Sequence, residues 1–215
     1  MKRLTTLCLL LALGLAPTAH ALSPASARSL AAIQSRWAEI NYQVPEPQRE
    51  AAFEALAGEA QRALDADPEA AELHIWLAIV QSTWAGARGG LGALGLVREA
   101  KAHLEAALQR DPAALDGSAY TSLASLYYQV PGWPLGFGDD AKAEALFAEA
   151  LRHNPDGLDP NYFYGDYLIR QKRYAEARVA LEKALQAPDR PGRASADAGR
   201  RAEARRKLEE LAALH

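Results

Sequence analysis

The string with the most chemical meaning in this chain is Gly90-Leu91-Gly92-Ala93-Leu94-Gly95, which spells the dinucleotide fingerprint and precedes a helix-forming run. That fingerprint works when a buried parallel strand delivers a tight turn to a helix N-terminus, where bare amides meet pyrophosphate. Residues 73–81, with Ile-Trp-Leu-Ala-Ile-Val at their centre, read in isolation as such a strand. No further strand–helix units follow, however, and Asp111 already ends the next helix instead of standing where a ribose is held. The string predicts a glycine-rich turn and no bound cofactor. The histidines at 74, 103, 153 and 215 are scattered, with none at metal-ligand spacing from another histidine or a suitable carboxylate. Asp139-Asp140 stands where the first turn of a helix favours negative charge, so capping accounts for it. No nucleophile elbow or HExxH helix occurs. The expectation is a protein that is not an enzyme and holds no metal.

The N-terminus reads as an address. Lys2 and Arg3 precede an apolar run over 7–15, and Ala19-His20-Ala21 places small residues where a signal peptidase reads them. The run is too short to span a bilayer, so 1–21 is predicted to be a cleaved secretory signal and the mature chain to begin near Leu22. Cys8 leaves with it, and no cysteine remains for disulfides or thiolate metal sites. Loss of Lys2 and Arg3 takes the formal charge from −3 to −5, which argues against nucleic acid as a partner. The location expected is periplasmic, with no stable membrane insertion.

The elements are helices. Period-2 runs of Val, Ile and Thr are almost absent, while Ala, Leu, Glu, Lys and Arg recur at helical spacing. Prolines punctuate the chain at Asp67-Pro68, Asp111-Pro112, Asn154-Pro155 and Pro188-Asp189, the first three about 44 residues apart. One phrase, a small residue, then an apolar one four positions on, then Ala three further and a closing Pro, recurs before them. It appears as Ala100-Leu104-Ala107-Pro112, Ala143-Phe147-Ala150-Pro155 and Ala177-Leu181-Ala184-Pro188, with a degraded copy at Ala60-Ala63-Pro68. Trp76-Leu77-Ala78 and Leu123-Ala124-Ser125-Leu126-Tyr127 carry the matching first-helix signature, and Gly165 supplies the small residue of the last unit.

These phrases resemble the tetratricopeptide repeat. The resemblance implies an all-α solenoid of four helix hairpins at 25–68, 69–112, 113–155 and 156–188. A C-terminal capping helix over 196–214 would cover the open end of the stack. Its segment holds seven basic residues against five acidic ones from 189 onward, with Ala204, Leu208 and Leu211 as an apolar stripe, and a basic docking face is the alternative to a cap. The second and third units depart from the standard length through insertions at 84–95 and 130–138. Both insertions end in a glycine five residues before the small Ala of the next helix, so they share one edge of the solenoid.

Two candidate surfaces follow. By repeat register, the first helices present Ile75 and Ile79, then Ser118, Thr121, Ser125 and Tyr128, then Tyr162, Asp166 and Arg170 to the concave groove, an assortment suited to a peptide or a polar small ligand. The insertion edge offers Trp84, Arg88, Trp133 and Phe137, aromatics that either cover helix ends or anchor an interface. The leading expectation is an exported protein-binding scaffold. A periplasmic receptor for a small hydrophobic or amphipathic ligand is the alternative. Helix pairs with Gly-Trp-Pro and Gly-rich insertions are also similar to the periplasmic T components of tripartite substrate transporters, which associate with a substrate-binding protein.

Overall fold

The computed structural model describes residues 21–213, and these form helices with no strand among them. The signal segment predicted over 1–21 lies almost wholly outside the described residues, as does His215. The helices are α1 (Pro24–Tyr42), α2 (Glu46–Ala66), α3 (Ala71–Arg88), α4 (Ala93–Arg110) and α5 (Ala114–Gln129). They continue as α6 (Asp140–His153), α7 (Leu158–Arg170), α8 (Tyr174–Gln186) and α9 (Ala194–Ala212). Local chemistry sets several boundaries. Ser23 caps α1, its hydroxyl accepting from the Ser26 amide at 3.0 Å with Pro24 just inside the helix, and Asp139 caps α6 by accepting from the Lys142 amide at 3.1 Å.

Adjacent helices pair as α1/α2, α3/α4, α5/α6 and α7/α8, the last three pairs closing on the small-and-large phrase of the second helix. Ala100, Ala143 and Ala177 are fully buried and let the partner helix come close, while Leu104, Phe147 and Leu181 fill the space beside them. Burying such side chains is worth roughly 1.5–3 kcal/mol each, which outweighs the modest amphipathicity of the individual helices. The four hairpins and the terminal helix are the architecture expected from the sequence.

The insertions are realised in two ways. In the first, α3 runs on through Arg88 and α4 resumes at Ala93, so much of the extra length becomes helix and only the glycine-rich turn between them is irregular. In the second, 130–139 is a true loop. The third hairpin also begins unusually. Leu115, Asp116 and Gly117 all have positive φ (49°, 55° and 74°), forming a left-handed turn before the regular part of α5. For the two non-glycine residues that conformation costs about 1–2 kcal/mol each.

The helices form two rows. The odd-numbered ones touch in sequence, α1 to α3, α3 to α5 and α5 to α7, whereas no such contact joins α2 to α4, α4 to α6 or α6 to α8 among the described residues. The tighter row is the inner, concave one. Helix α9 packs on α8 and also on α7 and α1, the two ends of that inner row. Its Ala196 belongs to the core of the N-terminal half and its Ala204 and Leu211 to the core of the C-terminal half. The terminal helix therefore caps the last hairpin and also turns back to lie along the concave face.

Candidate functional site

The docking of α9 begins with small residues. A Cβ at Gly199 would lie 2.5 Å from the Tyr42 ring, so only glycine lets α9 approach the end of α1 this closely. Ala196 and Ala204 continue the same close contact, each nearly without exposure. Around this seam the binding is ionic and aromatic. Arg193, Arg200 and Lys207 recur every seven residues, and their charged heads lie over rings of the inner row. Arg193 is 4.6 Å from the centre of the Trp76 ring, Arg200 is 4.5 Å from both Tyr162 and Phe163, and Lys207 is 6.0 Å from Tyr162.

Acidic groups hold these cations in place. Arg200 Nε donates to Asp159 at 3.0 Å, and the Arg190 guanidinium donates to the other Asp159 oxygen at 2.6 Å. Arg190 also clasps Asp197 through its backbone amide at 3.0 Å and its side chain at 2.6 and 2.8 Å. Lys207 pairs with Asp166 at 2.5 Å, and the other oxygen of Asp166 accepts from the Tyr128 hydroxyl at 2.5 Å. Burial alone would raise the Asp159 pKa, but the charges of Arg200 and Arg190 and the hydrogen bond from Arg190 prevail and hold it at about 2. Burial pushes the Tyr42 phenol up to about 12 and raises Tyr162 and Tyr128 as well, so all three are neutral. None is placed to act as a base.

This geometry corrects the groove expected from the sequence. Ile75, Thr121, Tyr128 and Tyr162 are buried, not presented to solvent, and Ile79 is half-buried between the two cores. Ser118 and Ser125 are half-buried, with the Ser125 hydroxyl turned back to the Thr121 carbonyl at 2.9 Å. Asp166 is engaged by Tyr128 and Lys207. Arg170 remains exposed, its guanidinium 5.9 Å from the Tyr128 ring. Tyr128, Tyr162, Asp166 and Arg170 do come together, but Tyr162 and Asp166 contact α9 and not a vacant groove.

The insertion edge separates into two arrangements. Trp84 packs against both cores, with Arg88 5.9 Å from its ring, and Phe137 packs edge-on against Tyr127 with Lys101 of α4 5.8 Å away. Trp133 stands clear at 90% exposure, with Leu135 beside it at 58%. The loop that carries them is held by its own backbone. Gly138 N–H donates to Pro131 O at 3.0 Å, Gly136 N–H to Gly132 O at 3.1 Å, and Asp139 N–H to Tyr127 O at 2.8 Å. At Gly138 a Cβ would fall 2.0 Å from Val130 O, so glycine is required for the loop to close.

A histidine pair is the feature the sequence reading missed. His74 Nε2–H donates to Pro68 O at 3.1 Å, which leaves its Nδ1 to accept from His103 Nδ1–H, also at 3.1 Å. Burial pushes both imidazoles down in pKa, so the neutral pair is favoured. The two lie on paired helices, and only their equivalent depths in the α3/α4 hairpin would have revealed the contact. Among the described residues no three His, Cys, Asp or Glu are grouped to hold a metal ion, and no helix is long and apolar enough to cross a membrane. Two hollows of roughly 560 and 330 Å³ are open grooves on α8, the larger reaching Leu211 and the smaller lying against α6 and α7.

A model of the tetratricopeptide repeat family matches residues 135–196, taking in α6, α7, α8 and the start of α9. Among solved structures, a thermophilic TPR protein of Thermus thermophilus superposes with a TM-score of 0.61 at 23% identity, over 86% of this chain and 80% of that one. The pilF protein of Pseudomonas aeruginosa matches at 18% identity and a TM-score of 0.35, over 86% of this chain and 93% of that one. No curated protein matches. Residues 135–196 thus match the tetratricopeptide repeat, and the chain shares the helical-solenoid fold of the Thermus protein, in which stacked hairpins form an extended concave surface.

Proposed function

We propose that this protein is an exported, non-catalytic scaffold that binds another protein in the cell envelope, in transport or in assembly. The observation that carries the reading is Trp133, 90% exposed at the tip of a loop whose backbone is already fixed. A large aromatic held out by a rigid loop loses little conformational freedom on binding, which is the property of an interface anchor. Leu135 widens the apolar tip, and Phe137 fastens the loop base to Tyr127. The apolar run and Ala-x-Ala of the N-terminus support export.

The test is affinity purification of the tagged mature protein from its own envelope, with Trp133→Ala beside it. A protein that co-purifies with the unaltered chain and is lost with the variant supports the scaffold. A stoichiometric small molecule with no protein would replace that reading with a ligand receptor. N-terminal sequencing of the exported chain should begin at Leu22, and retention of Lys2 and Arg3 would remove the export reading.

A further inference from the structure

We infer that α9 is a displaceable occupant of the concave groove, and that the groove's partner in trans is a helical segment of another protein with basic side chains at seven-residue intervals and alanines between them. The inference rests on the scaffold reading and assigns it a second, gated surface. Three observations carry it.

The first is what holds α9. The hairpins are closed by large, fully buried side chains such as Phe53, Leu56, Leu104, Phe147 and Leu181, whereas α9 contributes only Leu211 to that set. The rest of its seam is alanine, glycine, the half-buried Leu208, cation–ring contacts and ion pairs, of which the partly exposed Lys207–Asp166 pair weakens with salt and with competing cations. The second is that its fit is incomplete. The Arg193 Nε beside Trp76 is buried without a hydrogen-bond partner among the described residues, so docking leaves a polar group of a guanidinium desolvated and uncompensated. The third is the connection. Residues 187–193, Ala-Pro-Asp-Arg-Pro-Gly-Arg, contain no helix, so a seven-residue linker and no continuous helix joins α9 to α8, and Arg190 stays with α9 through its three bonds to Asp197.

The chemistry of the partner is written on the receiving surface. Trp76 and the Tyr162–Phe163 pair offer ring faces to cations, Asp159 and Asp166 offer counter-charges, and the depth beside Tyr42 admits only a small residue. A cationic, alanine-rich helix satisfies all of these, and the order of Arg193 at the N-cap of α9 with Arg200 and Lys207 within it is the pattern it must reproduce.

The probe is a fluorescein-labelled peptide of residues 190–212 of this chain, titrated against the full mature protein and read by polarisation. Arg200→Ala/Lys207→Ala in the protein weakens its own occupant, and the expected result is peptide binding at least tenfold tighter than to the unaltered chain. Asp166→Asn added to that pair, on the receiving surface, is expected to reverse the gain. Amide exchange on the unaltered full chain provides the check that needs no variant, since α9 should exchange at least tenfold faster than α7. Equal peptide affinity with and without the substitutions, or exchange of α9 as slow as α7, would overturn the inference. A partner still captured through Trp133 in that event leaves the scaffold standing.

Discussion

Replacement of Asp159 by asparagine should weaken the protein most at neutral pH and least in acid. Asp159 lies between Arg200 Nε at 3.0 Å and Arg190 at 2.6 Å, and its pKa of about 2 stands against an ordinary 3.8. A gap of nearly two units corresponds to roughly 2 kcal/mol of stabilisation by the ionised form. Because the folded pKa is the depressed one, that contribution is complete above the ordinary value and is lost as pH falls from about 4 through about 2. Asparagine keeps the shape and one acceptor oxygen but not the charge, and it leaves two guanidiniums with less compensation. The variant should therefore lose about 2 kcal/mol or somewhat more near neutral pH, and the two proteins should converge toward about pH 2. Urea unfolding across that range, followed by tryptophan fluorescence for the contact of Arg193 with Trp76 and by circular dichroism for total helix, measures the difference directly. A loss of only a few tenths of a kcal/mol at neutral pH, or a larger one unchanged in acid, would refute the reasoning.

The His74–His103 pair predicts a second pH dependence. Both folded pKa values are lowered, so the unfolded chain takes up protons first and stability should fall as pH drops below about 6.5; His103→Gln should flatten that part of the melting-temperature curve. Asp116→Gly, at an exposed residue with φ 55°, should stabilise the protein by about 1 kcal/mol and raise the melting temperature by about 2–4 °C. Phe147→Ala should cost about 3–5 kcal/mol in equilibrium unfolding, because that ring is fully buried against Tyr128, Tyr164 and Tyr167.

The repeat was legible because its signals are local. Proline after each amphipathic run and the phrase Ala143-Phe147-Ala150 define a hairpin whatever surrounds it, and the helices follow. The candidate surface was less so. Tyr128 and Tyr162 occupy outward register positions in an isolated repeat, but Tyr128 packs on Phe147 and Tyr167, and α9 comes back over Tyr162 from a place in the sequence that register does not address. Its apolar stripe of Ala204, Leu208 and Leu211 is the stripe of a cap. The second role lay in Arg193, Arg200 and Lys207, which read as solvated charge until the rings beneath them are known. Trp133 and Phe137 differ for a similar reason. Proline- and glycine-rich spacing fixes that there is a loop, whereas the contact of Phe137 with Tyr127 decides which aromatic turns inward.

The return of α9 to α1 also changes how the chain must fold. Hairpin contacts join near neighbours in sequence, and a stack of them alone would form quickly from either end. The bond between Gln43 and Ser195 spans 152 residues, so the last contacts to form are by far the most distant in sequence. A chain emerging N-terminus first can complete its hairpins in order, yet Trp76 and Asp159 stay uncovered until the final nineteen-residue helix has been made. That interval, set by synthesis, is when the inner row first meets its surroundings.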